Sequence, residues 1–119
     1  MKLKVHEDIR GKFVEVYKSE DVQVSFLTIN PGQTRGNHYH RVHYEKFIVI
    51  QGRCLISYRK INEDLVYGKY LDAANIEEFI MEPFNVHNIC NKTDKECIVL
   101  LITDKPFDKN DTDTYKEDV

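Results

Sequence analysis

The sequence predicts a compact all-β sandwich or barrel. Apolar residues alternate or fall in short blocks of strand length, and these blocks are rich in Val, Ile, Phe and Tyr. Polar, Gly- or Pro-containing turn signals separate them at strand-like intervals, and no stretch of useful length has helical periodicity. With 119 residues, 41% of them hydrophobic, the chain is expected to form a single domain over 1–119 and to bury a real core.

Asp8-Ile-Arg-Gly11 reads as a turn, because Gly11 supplies freedom in φ. A strand over 12–17 follows it. Residues 19–21 form a polar turn, and 22–30 a strand with Val22, Val24, Phe26 and Thr28 on one face. Pro31-Gly32 turns the chain. Residues 35–39 are extended, 44–51 form a strongly β-prone strand, and Gly52 turns it into a hairpin partner over 53–61. After a polar turn at 62–64 a strand is expected over 65–70. The segment 69–75, with its LDAAN, reads as a loop with one helical turn. Strands over 76–82, 86–91 and 96–103 complete the set, with Pro83 in a turn because it lacks a ladder donor. About eight strands in this order fit a jelly-roll barrel over 8–103, followed by an acidic tail over 104–119. Such a barrel can take one small ligand at its mouth.

Net charge is −3, and residues 104–119 carry the whole imbalance with six acids against three lysines. No basic stripe is present to bind nucleic acid. The tail reads as a solvated segment partly packed through Phe107 and Tyr115. The longest apolar runs, 47–50 and 97–102, are too short to span a bilayer, and the N-terminus has no apolar signal core. Cys54, Cys90 and Cys97 are an odd count without paired spacing, and they read as buried free thiols in a reducing cytoplasm.

The chemistry concentrates in PGQTRGNHYHRVHYEKFIVIQG, residues 31–52. His38 and His40, one residue apart, point to the same face of a strand. Glu45 can return to that face from the next strand, and His87 is the well-placed fourth candidate. Imidazole nitrogens with one carboxylate oxygen suit a borderline divalent metal, with zinc taken first and nickel, iron or manganese as alternates. His43 lies in the connecting loop, off the ligand pattern, and His6 lies outside every motif. Both are expected to be solvated.

The spacing Gly32-x5-His38-x-His40-x4-Glu45-x6-Gly52 matches the first motif of the cupin superfamily at every fixed position. The second motif, Pro-x-Gly-x-x-His-x-x-x-Asn, is represented by Pro83-Phe-Asn-Val-His87-x-x-x-Asn91, without the glycine and one residue shorter. TRGNHYH, YEKFIVIQG, HNI and the tail PFDKNDTDTY together resemble the cupin half of bifunctional capsular-polysaccharide assembling proteins, from about Asp8 to Tyr115. The DxRGxFxE opening is also similar to that of deoxysugar 3,5-epimerases of the same superfamily. In the capsular family a reductase domain precedes a metal-binding cupin that acts on a UDP-linked keto sugar. This sequence shows no counterpart of the reductase half, so a separate reductase is an expected partner.

The resemblance implies a metal-dependent epimerase or isomerase of a nucleotide-linked 4-keto sugar, working in the cytoplasm as a homodimer. Strands apolar on both faces also point to a covering partner. A bound metal would act as a Lewis acid on the keto oxygen. Proton removal from the neighbouring carbon and return to the other face then gives 3-epimerisation, and return to a different atom gives ketoisomerisation. That needs a base not tied to the metal: Tyr58, Lys46 and His43 are the candidates, with Tyr39 beside them. Arg35, three residues before His38, is the expected diphosphate contact. Asn37, Tyr39 and Asn88 are the other substrate-binding candidates. Arg53 and Arg59 read as a solvated strand face or a dimer contact, and Asn91 as a structural residue in the turn after His87. Three other functions fit the same residues. One is a metal-free 3,5-epimerase or ketoisomerase with His38 as base; the second is a non-catalytic sugar- or metal-binding cupin; the third is an iron dioxygenase.

Overall fold

The computed structural model describes residues 1–119. It contains eleven strands and no helix. They are β1 (Lys4–Asp8), β2 (Gly11–Lys18), β3 (Gln23–Ile29), β4 (Thr34–Tyr39), β5 (Glu45–Gln51), β6 (Arg53–Lys60), β7 (Tyr67–Asp72), β8 (Glu78–Met81), β9 (Asn85–Cys90), β10 (Cys97–Thr103) and β11 (Tyr115–Lys116). Two antiparallel sheets result, one ordered β1-β2-β3-β10-β5-β8 and the other β11-β4-β9-β6-β7. Hairpin neighbours such as β1-β2-β3 and β6-β7 alternate with long-range pairs such as β3-β10, β10-β5 and β4-β9, as in a jelly roll.

The two inner faces share one core: Leu27, Ile29, Phe47, Val49, Cys54, Ile56, Leu71, Met81, Ile89, Cys97, Val99 and Leu101. Alternation in β5 places Glu45, Phe47 and Val49 inside and Lys46 and Ile48 outside, as their parity predicts. Asn91, fully buried, closes the turn between β9 and β10. Its amide donates to the Ile29 and Lys95 carbonyls at 2.8 and 2.7 Å, and its Oδ1 accepts from the Thr93 amide at 2.9 Å. The expected structural role of Asn91 is therefore met.

In β3 Gln23, Ser25, Leu27 and Ile29 are buried, and Val24 and Phe26 of the expected set share the opposite, half-buried face. Two expectations are corrected. Residues 69–75 form no helical turn; β7 runs to Asp72, whose Oδ1 accepts the Ala74 amide at 2.9 Å and ends the strand in a tight turn. Cys54 and Cys97 are not free thiols, because they are joined as a disulfide between β6 and β10 and leave only Cys90 free. The tail is largely exposed and packs through Tyr115, as expected; it does so by returning as β11 onto β4, pairing Tyr115 with Tyr39 and Lys116 with His38.

Candidate metal centre

Three strands deliver the candidate ligands. His38 is the penultimate residue of β4 with His40 just past its end, Glu45 opens β5, and His87 lies in β9, directly opposite His38 in the register. Arg35 and His38 differ in parity, yet both line the same cavity. A bulge between Gly36 and His38 makes this possible, with Asn37 in the left-handed region at φ +59°. Gly36 is required there, because a Cβ would stand 2.9 Å from the His87 carbonyl oxygen. After the bulge, His38 and His40 share a face.

One ligand atom from each of His38, His40, Glu45 and His87 can be chosen so that all lie within 4.8 Å of one another. Glu45 Oε1 is 2.6 Å from His40 Nε2 and 3.0 Å from His87 Nε2. The opposite nitrogens are committed elsewhere. His40 Nδ1 donates to the Asp113 carbonyl at 2.8 Å, and His87 Nδ1 donates to the Asn85 carbonyl at 2.9 Å. Both rings therefore turn Nε2 towards Glu45, the arrangement that carbonyl-anchored metal ligands adopt. Two oriented imidazoles, a third from His38 and one carboxylate suit a borderline divalent ion.

The electrostatics follow from burial and crowding. Desolvation lowers the His38 pKa to about 4, and the neighbouring His87 charge acts in the same direction. Desolvation opposes ionisation of Glu45, but its hydrogen bonds to His40 and His87 outweigh that and hold the carboxyl well below its ordinary range. For His40 burial acts downwards, and the bond to Glu45 overcomes it, so its pKa is raised.

A cavity of about 640 Å³ opens above these residues. Gln23, Ser25, Leu27 and Phe47 line it from the barrel, and the tail between Lys105 and Lys116 supplies another wall. Arg35, buried among them, donates from Nε to the Thr28 carbonyl at 3.4 Å. Burial lowers its pKa, and the Arg10 charge adds to that.

The remaining expected site residues divide. His43 lines the cavity and is not solvated: its ring centroid is 3.9 Å from that of His40, and Nδ1 is 3.0 Å from Asp113 Oδ2. Lys46 points to the outer face, where it pairs with Glu78 at 2.8 Å. Tyr58 faces His87 across the ladder but packs on Tyr67 and Phe79, with ring centroids 5.6 and 5.1 Å away, outside the cavity lining. Tyr39 is buried against Tyr115 at 5.3 Å, and Asn37 and Asn88 bond to each other at 3.0 Å; none of these three lines the cavity. Ordinary alternation puts Tyr39 on the face opposite His38, and Asn37 is the bulged residue itself. Arg59 is held by Glu117 at 2.8 Å, and Arg53 lies 3.9 Å over the Tyr70 ring. His6 sits on the surface beside Glu15 at 3.3 Å. Sequence reasoning missed Gln23 and Ser25, whose signal was polarity at alternating positions of an otherwise apolar strand. It also missed Asp113, which has no local signal.

Fold and site together define the class: this is a cupin, a double-stranded β-helix with the His-x-His, Glu and His set clustered in its barrel. The Drosophila melanogaster CENP-C cupin domain superposes with a TM-score of 0.69 at 17% identity, over 84% of this chain and 74% of that one, a likeness of fold alone. More narrowly, the chain belongs to the family described as polysaccharide biosynthesis C-terminal domain, whose model matches residues 6–115. The capsular polysaccharide assembling protein CapF from Staphylococcus aureus superposes with a TM-score of 0.97 at 34% identity, over 100% of this chain and 32% of that one. A Pseudomonas aeruginosa protein named UDP-2-acetamido-2,6-beta-L-arabino-hexul-4-ose reductase is 38% identical over 112 residues, which are 93% of this chain and 30% of that protein. The chain thus spans about a third of the length of these relatives.

Proposed function

We propose that this chain is a metal-dependent epimerase or isomerase acting on a nucleotide-linked 4-keto sugar in surface-polysaccharide synthesis. The observation that carries the reading is the convergence of His38, His40, Glu45 and His87 beside a cavity of about 640 Å³. The Pseudomonas relative is named for a UDP-linked hexul-4-ose, which is a 4-keto sugar. That supports the substrate class and UDP as the carrier.

His38, His40, Glu45 and His87 would hold the ion, with zinc the first choice and nickel, iron or manganese the alternates. When bound, the metal supplies Lewis-acid polarisation of the keto oxygen. Proton transfer to and from the adjacent carbon falls to a residue outside the ligand set. Of Tyr58, Lys46 and His43, only His43 lines the cavity, and the Asp113 carboxylate holds its ring in place. His43 is therefore the favoured base. Arg35 supplies a fixed cation for the diphosphate, with Arg10 beside it on the same wall. Gln23 and Ser25, bonded to each other at 3.2 Å, offer polar contacts to sugar hydroxyls.

The reading includes a homodimer, a reductase as partner and a cytoplasmic location. In the first sheet Phe26, Leu100 and Ile48 form a half-buried cross-strand row on the outer face, with Ile50 and Ile80 exposed near it. A second copy covering that row would bury it. No helix is long and apolar enough to cross a membrane.

The test is elemental analysis of protein purified without chelator or metal-affinity tag, beside His38→Ala and His87→Ala. About one divalent ion per chain is expected in the wild type and a loss in both variants. Turnover of a UDP-linked 4-keto hexose in D2O should then place deuterium on the carbon next to the ketone, and His43→Gln should abolish that exchange. Wild type that retains no ion would overturn the metal reading and leave His38 as the candidate base of a metal-free epimerase.

A further inference from the structure

Among the tail residues, Asp113 makes contacts unlike any other. Its backbone carbonyl accepts the His40 Nδ1 proton at 2.8 Å. Its carboxylate accepts the backbone N–H groups of Arg41, Val42 and His43 at 2.9, 3.0 and 3.1 Å. The same Oδ2 stands 3.0 Å from His43 Nδ1. One residue, seventy-three positions beyond His40, thus caps three successive backbone donors, Arg41, Val42 and His43, in the connection between His40 and Glu45. Asp113 adopts φ +48°, left-handed backbone that aspartate enters more readily than most residues. Its surroundings hold it on both sides. Tyr115 and Lys116 pair with Tyr39 and His38, the Tyr115 ring stacks on Tyr39 at 5.3 Å, and Arg41 lies 4.2 Å over the Tyr115 ring.

We infer that Asp113 is a positioning residue for the metal centre: it fixes which nitrogen of His40 carries the proton and anchors the 41–43 connection between the ligands His40 and Glu45. The inference rests on the metal reading above and goes beyond it, because it ties a centre built from barrel strands to the acidic tail. The carbonyl holds the Nδ1 proton, so the proton that an incoming ion displaces is the one Nε2 shares with Glu45. The carboxylate holds that carbonyl in place by gripping the three amides. Second-sphere partners of this kind change metal affinity by about 10–100-fold when removed.

The experiment uses the full chain, with zinc as the probe. Zinc affinity is measured by competition with a chromophoric chelator for wild type, Asp113→Asn, Asp113→Ala and Asp118→Ala. The protonation of His40 Nδ1 in the zinc-free proteins is read by long-range proton–nitrogen correlation of the imidazole, with urea unfolding as a check on the fold. Expected is a loss of about 10–100-fold in affinity for Asp113→Ala, a smaller loss for Asp113→Asn and none for Asp118→Ala. His40 should keep a proton on Nδ1 in wild type, and the protonation of Nδ1 should fall in Asp113→Ala. Asparagine tolerates positive φ and keeps one acceptor oxygen, so Asp113→Asn gives the answer if the alanine variant does not fold. Zinc affinity and Nδ1 protonation unchanged in the Asp113 variants would overturn the inference while the metal reading stands. Wild type that binds no zinc would overturn both.

Discussion

At the residue scale, three of the four candidate ligand side chains have hydrogen-bond partners that aim them. His40 and His87 spend Nδ1 on backbone carbonyls, and Glu45 lies between their Nε2 atoms. A similar local economy governs the Asp8–Arg10 pair at the β1–β2 turn. The Asp8 carboxylate accepts the Arg10 amide at 2.9 Å and two guanidinium nitrogens at 2.5–3.1 Å. These bonds, led by the side-chain contact, lower the Asp8 pKa from 3.8 to about 2. A carboxyl depressed on folding adds stability above its unfolded pKa, and that contribution disappears as pH falls from about 3.8 towards 2. In Arg10→Met the Asp8 carboxyl should titrate back near 3.8, as followed by carboxyl-carbon NMR. A titration unchanged from wild type would mean that Arg10 is not the cause. The ligand residues were legible in the sequence because their spacing is local and fits strand geometry. Asp113 was not, because its contacts depend on where the tail lands.

At the element scale the decisive feature is the bulge in β4. Without it, strict alternation would put Arg35 on the face opposite His38. With it, the guanidinium and the imidazole line one cavity, and Tyr39 stays on the face opposite His38. Asn37 suits the bulge twice over. It tolerates φ +59°, and its Oδ1 accepts from Asn88 at 3.0 Å and from the Val119 amide at 3.3 Å. Asn37→Ala should therefore cost about 1–2 kcal/mol for the left-handed backbone alone, measurable by urea unfolding at fixed metal load. A loss below the error of that measurement would show that the bulge relaxes without cost. The phase of β3 carries the same lesson. Alternation grouped Val22, Val24 and Phe26 on one face but left open which face is the interior. The strand turns Gln23 and Ser25 inward, where a cavity and not packed core occupies that end of the barrel.

At the scale of the whole molecule the two sheets are held together by one core of twelve side chains. Ile29 is fully buried in it, and the register pairs it with Cys97 of β10. Ile29→Ala should cost about 2–5 kcal/mol, because the sheets cannot close on the lost volume. Chemical denaturation checks this, and a cost under 1 kcal/mol would mean that the core collapses locally instead of leaving a cavity. The disulfide between Cys54 and Cys97 also links the two sheets, a pairing that sequence spacing did not signal.

The sequence by itself determined the all-β class, most strand positions, the four candidate ligands and the cupin resemblance. These rest on period-two alternation, turn chemistry and short fixed spacings, all of which act within a few residues. The tertiary structure alone decided which face of β3 is the interior, that β4 breaks its alternation, that Cys54 meets Cys97 and that Asp113 grips the His40 connection. Each depends on contacts between segments far apart in the chain, and those are fixed only when the sheets close over a common core.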